Sequence, residues 1–251
     1  MFPVQRVGGR DVNLAFVGPP KSGKTYAMSE LRFHRAQTVY IDITGEVVAP
    51  FVFDRGRDVA LAIGLRPCVH TVWQCGHLMD NPDVMLAGVK AIGSAAQLYH
   101  ERVTIIFDEV GAFKDQGHKK TIDHMCGVAR TGRQKGVSVW AGSHRPQEMP
   151  PNLNAVLDET WYTGCGNAAD YDFLRRYVGK EELVAAVKQV TRHRAATKRA
   201  GATEFPFVRR LHSGAAEFSR LPGDPEWTCS PDGNWCVVEQ LGTGTLGRPH
   251  G

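Results

Sequence analysis

The stretch Gly18-Pro-Pro-Lys-Ser-Gly23-Lys24-Thr25 decides the fold, because it fits the pattern G-x-x-x-x-G-K-[ST] without a mismatch. Residues 13–17 before it, which are apolar from Leu14 onward, predict a buried strand, and residues 25–33 after it predict a helix. A loop between such a strand and helix turns backbone N–H groups and the positive end of the helix dipole toward phosphate oxygens. The residues predicted to hold the phosphates are Gly18, Pro19, Pro20, Lys21, Ser22, Gly23, Lys24, Thr25 and Tyr26.

Lys24 and Thr25 have the most specific predicted roles in this loop. The Lys24 ammonium group would reach the β and γ phosphates of a nucleoside triphosphate, and the Thr25 hydroxyl would bind Mg²⁺. A glycine-rich turn that fits the pattern by chance is the alternative, and the buried strand directly before the loop argues against it. ATP and Mg²⁺ are therefore the expected cofactors.

Two carboxylates follow a second apolar run, Val103–Phe107. A buried strand that ends in a carboxylate predicts a contribution of Asp108 to the Mg²⁺ site. Glu109, the next residue, is placed to polarise an attacking water as general base. Apolar residues followed by Asp-Glu are common at strand ends, so this interpretation depends on the phosphate loop that accompanies it.

A third apolar run, 137–141, ends in the polar residues Ser143 and His144. A polar side chain at such a strand end can sense the γ-phosphate, and either residue is a candidate. A turn that these two side chains merely cap is the alternative. The sequence does not decide which of the two would reach the nucleotide.

Strands and helices are predicted to alternate along most of the chain. Parallel neighbouring strands need crossover connections, so this alternation predicts an α/β fold with a mainly parallel sheet and helices on both faces. The remaining predicted strands are 38–43, 69–73 and 159–162, and the remaining predicted helices are 83–100, 121–134, 171–178 and 181–199.

The length of 251 residues allows one large core. We expect one domain over 1–212 and a partly ordered, irregular tail over 213–251, in which 227–236 could form a hairpin around Asp232-Gly233. Apolar residues make up 42% of the chain and charged residues 22%, which is typical of a folded enzyme rather than a disordered chain.

No signal peptide and no transmembrane segment is recognised in the sequence, so the expected location is the cytoplasm. The six cysteines are scattered, which predicts free thiols rather than a disulfide framework. The net charge of +4 is too small to indicate nucleic-acid binding by itself. Basic residues are nevertheless concentrated over 114–120 and 188–210, which are either solvated faces or contact surfaces for a nucleic-acid backbone.

Cys68, His70, Cys75 and His77 could together form a zinc site. Their spacing is unusual for zinc-binding modules, and a strand is predicted through the middle of the set. We therefore expect structural cysteines and histidines here rather than zinc ligands.

Three motifs resemble the FtsK/HerA superfamily of hexameric DNA-pumping ATPases, and in particular its viral genome-packaging branch. They are the loop 18–25, the strand that ends in Phe107-Asp108-Glu109, and the string from Arg130 to Leu153, which contains Arg133, Gly136 and Ser143-His144-Arg145-Pro146. The resemblance covers about residues 12–165 and implies a RecA-like sheet of the ASCE type. It departs from the family at His144, where the family usually has Gln.

The resemblance implies further site residues and partners. Arg133 would be the arginine finger that reaches the γ-phosphate of a neighbouring subunit, with Arg130 as the second candidate. A finger supplied in this way requires a homo-oligomeric ring, which in this superfamily is a hexamer.

At 251 residues, the chain is expected to have no room for the extra domains that cellular members of the superfamily carry. It is therefore most similar to the packaging ATPases of tailless, membrane-containing icosahedral viruses. Such a motor would drive double-stranded DNA into a preformed capsid, in the host cytoplasm, with capsid-vertex or membrane proteins as partners. Two alternatives stay open: a filamentous-phage assembly ATPase of the zonula-occludens-toxin-like type, which extrudes single-stranded DNA, and a nucleotide-dependent switch that binds protein.

Overall fold

The computed structural model describes residues 12–25, 27–28, 37–65, 70–99, 102–115, 117–178, 181–199, 207–212, 227–229 and 235–238. The strands in this part of the chain are β1 (Leu14–Val17), β2 (Gln37–Asp42), β3 (Phe51–Phe53), β4 (His70–Gln74), β5 (Val103–Phe107), β6 (Val137–Ser143), β7 (Glu159–Tyr162), β8 (Phe207–Leu211), β9 (Trp227–Cys229) and β10 (Trp235–Val238).

The first helix, α1, is described at residues 24, 25, 27 and 28. The other helices are α2 (Gly56–Leu65), α3 (Pro82–Tyr99), α4 (Ala112–Asp115), α5 (Lys119–Gly132), α6 (Pro151–Asn154), α7 (Ala168–Val178) and α8 (Glu181–Arg199). None of the helices in the described ranges is both long and apolar enough to cross a membrane.

The described strands form one sheet in the order β3-β4-β2-β5-β6-β1-β7-β8-β10-β9. The neighbours from β3 to β7 pair in parallel, and the three strands beyond β7 pair antiparallel. Strand β6 lies between β1 and β5. The predicted mainly parallel α/β fold of the P-loop type is confirmed.

Side chains of β1 enter two apolar clusters, one on each face of the sheet. Ala15 and Val17 belong to the larger cluster, which the buried faces of α2, α3, α5 and α8 complete. Leu14 and Phe16 belong to the other cluster, with Ala27 of α1. Alternate residues of a strand point to opposite faces, so a strand that is covered on both sides is apolar throughout. This is why the run 14–17 is apolar at every position.

Parallel pairing brings the carboxyl ends of β2, β5, β6, β1 and β7 to one edge of the sheet. Val17, the last residue of β1, aligns with Ser143 of β6 and Tyr162 of β7. Phe107, the last residue of β5, aligns with Ala141 of β6. Ligands of open α/β sheets bind at this edge, and the predicted site residues follow these strands.

Several element boundaries differ from the sequence predictions for local reasons. Strand β3 and helix α2 were not predicted, because β3 has three residues and α2 contains glycines at 56 and 64. Helix α5 begins at Lys119, and α4 occupies 112–115, so the expected polar loop 114–120 is helical at both ends. Beyond residue 28, the rest of the helix predicted over 25–33 lies outside the described residues.

The segment predicted as a tail contributes two strands to the sheet. Strand β10 pairs with β8 on one side and β9 on the other, and Cys236 aligns with Cys229. The strands of the predicted hairpin therefore pair as expected, while its turn at Asp232-Gly233 lies outside the described residues. The domain boundary after 212 stays a prediction.

Asn13 joins three parts of the fold through one buried side chain, which is fully shielded from solvent. Its amide nitrogen donates to the carbonyl oxygens of Ala129, at 3.0 Å, and Val156, at 3.3 Å. Its amide oxygen accepts from Val139 N at 2.8 Å. The side chain thus fixes α5, β6 and the segment before β7 around the start of β1.

We expect Asn13→Ala to lower the free energy of unfolding by about 3 kcal/mol, because it leaves buried backbone donors and acceptors without partners. Urea unfolding followed by circular dichroism measures the change. Asn152→Ala, at an exposed position of α6, is the matched control and should change stability by less than about 0.5 kcal/mol. Equal stabilities of the two variants would contradict the structural role of Asn13.

Candidate functional site

The predicted phosphate loop turns sharply between β1 and α1. Gly18 N donates to the carbonyl oxygen of Ser143 at 3.1 Å, which attaches the start of the loop to the end of β6. Lys21 and Gly23 adopt left-handed backbone conformations, with φ of 58° and 91°. Turns that combine left-handed and right-handed residues form concave sites of backbone N–H groups, which suit anions.

Gly18 lies where no side chain fits. A Cβ atom at this position would overlap Thr163 Oγ1 and would lie 2.9 Å from Ser22 Oγ. These two hydroxyl groups share a hydrogen bond of 2.6 Å, and Thr163 N donates to Val17 O at 2.8 Å. The loop is therefore held from the β6 side by Ser143 and from the β7 side by Thr163.

Lys24 is buried at the first turn of α1, with 5% of its surface exposed. Its Nζ donates to Gly18 O at 2.7 Å and to Pro19 O at 3.3 Å, so the side chain folds back over the loop. The same ammonium group stabilises the ionised forms of Asp108 and Glu109, whose pKa values it lowers against the effect of burial. Lys24 thus lies in the same cleft as both predicted carboxylates.

Thr25 and Asp108 meet across this cleft, where Thr25 Oγ1 donates to Asp108 Oδ1 at 3.5 Å. Burial raises the pKa of Asp108 to about 6, with a further contribution from Asp42. The site thus holds more buried negative charge than Lys24 compensates. A hydroxyl and a carboxylate oxygen are the hard ligands that Mg²⁺ prefers, so these residues fit the predicted ion.

Glu109 accepts a hydrogen bond through one carboxylate oxygen, and its second carboxylate oxygen is buried beside His144. Oε1 accepts from Gly111 N at 3.2 Å, and Oε2 lies 3.2 Å from His144 Nδ1. Burial raises the pKa of Glu109 to about 7, and Lys24 opposes this rise. A carboxyl group with a pKa near neutrality can exchange a proton with water at physiological pH.

Ser143 and His144 occupy different environments at the end of β6. The Ser143 hydroxyl is buried and donates to Arg145 O at 2.9 Å. The His144 imidazole is partly exposed, and burial together with Lys24 lowers its pKa, which favours the neutral ring. His144 therefore faces Glu109, whereas Ser143 stabilises the turn. Which of them senses a γ-phosphate stays a prediction.

Close packing also joins β6 to β5 beside these residues. Val110 N donates to Gly142 O at 2.8 Å. A Cβ atom at Gly142 would overlap the carbonyl oxygen of Asp108. The absence of a side chain at Gly142 allows β6 to approach the carboxylate-bearing strand this closely.

Arg133 lies at the opposite edge of the sheet, before the start of β6. Its Nη2 forms an ion pair of 2.6 Å with Asp158 Oδ1 and donates to Val156 O at 3.2 Å. The seven residues of β6 separate it from the phosphate loop by roughly 20 Å. Within one chain, therefore, Arg133 does not reach Lys24. Arg130, the second candidate, is exposed in the last turn of α5.

The remaining predicted phosphate contacts have mixed exposure. Pro20 and Lys21 are exposed and Pro19 is partly buried, while Ser22 is buried through its bond to Thr163. Tyr26 lies outside the described residues.

Among the described residues around β4, His70, Cys75 and His77 are not placed together as metal ligands. His70 begins β4, and its Nδ1 shares a hydrogen bond with Thr38 Oγ1. Cys75 follows the last residue of β4, so about 16 Å of extended chain separates it from His70. In the described ranges, no group of three or more His, Cys, Asp or Glu side chains is placed to hold a metal. Cys68 lies outside those ranges, and Cys75, Cys126 and Cys165 are free and buried.

Two residues at the sheet edge were missed by the sequence analysis. Thr163 follows β7 and holds Ser22, and Asp42 ends β2 and influences Asp108. The Asp42 carboxylate accepts hydrogen bonds from the backbone N–H groups of Thr44, Gly45 and Val47, which fixes the turn after β2. Both residues are polar and stand at the end of a predicted strand, which is the signal that identified Asp108 and Ser143.

Comparison with solved structures relates this fold to a known group of proteins. The genome packaging NTPase B204 from Sulfolobus turreted icosahedral virus 2, in complex with ATP-γS, superposes with a TM-score of 0.56 at 15% identity, over 80% of this chain and 92% of that chain. The chain has the fold of B204. The DNA-packaging ATPase B204 of Sulfolobus turreted icosahedral virus also matches, with a TM-score of 0.57 at 13% identity over the same shares.

The likeness to B204 agrees with the resemblance to viral genome-packaging ATPases that three motifs predicted. At this sequence identity, the likeness shows a shared fold. EssC (ATPases 2 and 3) from Geobacillus thermodenitrificans matches with a TM-score of 0.43 at 12% identity, over 91% of this chain and 39% of that chain. No protein-family model matches the sequence, and no curated protein matches it.

Proposed function

We propose that this protein is an ATP-hydrolysing motor that moves double-stranded DNA into a preformed viral capsid. One observation carries the proposal: Lys24 and Thr25 of a phosphate loop share a cleft with Asp108 and Glu109. The fold shared with B204, whose structures include a complex with ATP-γS, supports the choice of ATP as the ligand.

The residues of the cleft divide the work of hydrolysis between them. Backbone N–H groups of the loop and the Lys24 ammonium group hold the β and γ phosphates, and Thr25 and Asp108 hold Mg²⁺. Mg²⁺, when bound, neutralises charge that develops on the transferred phosphoryl group. Glu109 takes the proton of the attacking water, a role that its pKa of about 7 suits.

Basic residues near the cleft support nucleic acid as the substrate of the motor. Lys114, Lys119 and Lys120 are exposed on α4 and α5, directly after the segment that bears Glu109. Lys114 Nζ also donates to Gln147 O, in the turn that follows β6. A change in the cleft could therefore reach this basic surface through few intervening residues. The charged surface would bind the DNA backbone regardless of base sequence.

A ring of identical subunits would explain the position of the predicted arginine finger. Arg133 lies far from the loop of its own chain, so a role at a γ-phosphate requires a neighbouring subunit. In that arrangement Arg133 would leave Asp158 when the ring forms or when nucleotide binds. We assign such a motor to the host cytoplasm, at the vertex through which the capsid is filled.

We expect Glu109→Gln to bind ATP with unchanged affinity and to lower kcat by a factor of about 10² to 10⁴, because the amide cannot accept the water proton. Phosphate release and binding of a fluorescent ATP analogue measure the two properties. Lys24→Ala should instead lose binding itself, and Lys90→Ala, at an exposed lysine of α3, should match the wild type. Unreduced turnover in Glu109→Gln would exclude Glu109 as the base.

The rate of ATP hydrolysis should rise when double-stranded DNA is added, and it should rise further with DNA that is longer than the stretch one motor contacts. A motor that contacts about six phosphates should lose roughly 10³-fold in apparent DNA affinity between 50 and 200 mM salt. Steady-state hydrolysis with a series of DNA lengths, alongside a mass measurement of the oligomer, tests this. Basal hydrolysis that DNA never stimulates would contradict the motor, and a preference for single strands together with membrane association would favour phage assembly.

Arg133→Ala should bind ATP normally and lose hydrolysis in assembled oligomers, because the γ-phosphate then lacks the partner's guanidinium. This variant also breaks the ion pair with Asp158. Asp158→Asn breaks the same pair and keeps Arg133, so it separates the two effects and should retain hydrolysis. Unimpaired turnover of Arg133→Ala within rings would remove the finger assignment.

A further inference from the structure

Asp170, in the first turn of α7, has a fully buried carboxylate that binds two separate segments. Oδ2 accepts from Gly166 N at 3.0 Å and from Asn167 N at 3.2 Å. Oδ1 accepts from Arg145 Nε at 2.9 Å. Asp170 N in turn donates to Asn167 Oδ1 at 3.1 Å, so the two residues cap the helix reciprocally.

The hydrogen bond from Arg145 links Asp170 to the carboxylate side of the cleft. Arg145 directly follows Ser143 and His144, and its own carbonyl oxygen accepts from the Ser143 hydroxyl. About a third of its side chain is exposed. With its carbonyl oxygen directed toward the guanidinium, the Gln147 amide also accepts from Arg145 Nη1 at 3.1 Å. The ion pair therefore fixes the turn in which His144 lies 3.2 Å from Glu109.

The hydrogen bonds from Gly166 and Asn167 link Asp170 to the phosphate loop. Gly166 and Asn167 belong to the connection that begins at Thr163, whose hydroxyl binds Ser22 at 2.6 Å. A Cβ atom at Gly166 would lie 3.8 Å from Pro19 Cβ, so this connection also packs beside the loop. Asp170 is consequently linked to both sides of the cleft, although it is not itself one of the residues proposed to hold the phosphates or to activate water.

Helix capping alone does not account for this arrangement. At this position in the first turn, an amide oxygen could accept the same two backbone N–H hydrogen bonds without burying a charge, and a buried ion pair contributes little net stability against the cost of desolvation. The third bond, to Arg145, is the one for which the charge of Asp170 is needed.

We propose that Asp170 is a positioning residue for the nucleotide site, which holds the Ser143–His144 turn through Arg145 and the phosphate loop through the Thr163 connection. This inference rests on the proposed ATP hydrolysis. Loss of the hydrogen bond between Arg145 and Asp170 should displace the turn beside Glu109, while the phosphate loop keeps its hydrogen bonds to Ser143 and Thr163. The expected signature is a fall in kcat with little change in ATP affinity.

Asp170→Asn tests the proposal, because its amide oxygen can still accept from the two backbone N–H groups while the charge toward Arg145 is gone. We expect kcat to fall at least about tenfold, with the affinity for a fluorescent ATP analogue within about threefold of the wild type. Arg145→Gln should reproduce this result from the surface side of the pair, and Arg145→Lys, which keeps the charge, should recover part of the loss.

Arg175→Gln is the matched control, because Arg175 Nε forms an ion pair of the same length with Glu181 between α7 and α8, away from the cleft. It should keep the wild-type kcat. If Asp170→Asn does not fold, the two Arg145 variants decide alone. Full kcat in Arg145→Gln, or an equal loss in Arg175→Gln, would overturn the inference while wild-type hydrolysis is intact. A wild-type protein that hydrolyses no ATP would instead overturn the proposed function.

Discussion

The electrostatics of the cleft depend on one buried ammonium group. Lys24 Nζ is held against the carbonyl oxygens of Gly18 and Pro19, and it opposes the rise that burial imposes on the pKa values of Asp108 and Glu109. Because these pKa values are raised in the folded state, the free energy of unfolding falls as pH rises from the ordinary pKa values of 3.8 and 4.5 to about 6 and 7. The cleft is thus assembled at the expense of stability, as is common where a site is prepared for a cation and a charged ligand.

The sheet explains why this small site needs residues from so many parts of the chain. Parallel pairing places the ends of β1, β5, β6 and β7 side by side, so residues separated by more than 100 positions become neighbours. Asn13 stabilises the opposite edge, where the same strands begin. The edge around Asn13 therefore has a structural role, whereas the opposite edge also carries the polar groups that can act on a ligand.

The sequence predicted those features that are encoded within a few residues. The loop 18–25, the pair Asp108 and Glu109, and the strands β5 and β7 were predicted from local patterns. Strand β3 was not, because three residues, two half-buried and one exposed, are too few for a period to be recognised. The start of α7 was predicted three residues late, since the reciprocal cap of Asn167 and Asp170 was overlooked.

Contacts between distant residues could not be predicted in the same way. Thr163 binds Ser22, and Arg145 binds Asp170, across 141 and 25 positions. Each of these residues is an ordinary polar residue in a loop or helix when taken alone. Arg133 illustrates the converse: its motif predicts a role between subunits, and in a single chain it is bound to Asp158.

Gly142 sets the distance between β6 and the end of β5, because even a methyl group there would overlap the Asp108 backbone. The absence of a Cβ atom at residue 142 thus influences the position of Asp108, the carboxylate proposed to bind Mg²⁺. Although Gly142 is not itself one of the predicted site residues, we expect little sequence variation at this position. A larger residue there would act as a wedge, widening the cleft without altering any of its polar groups.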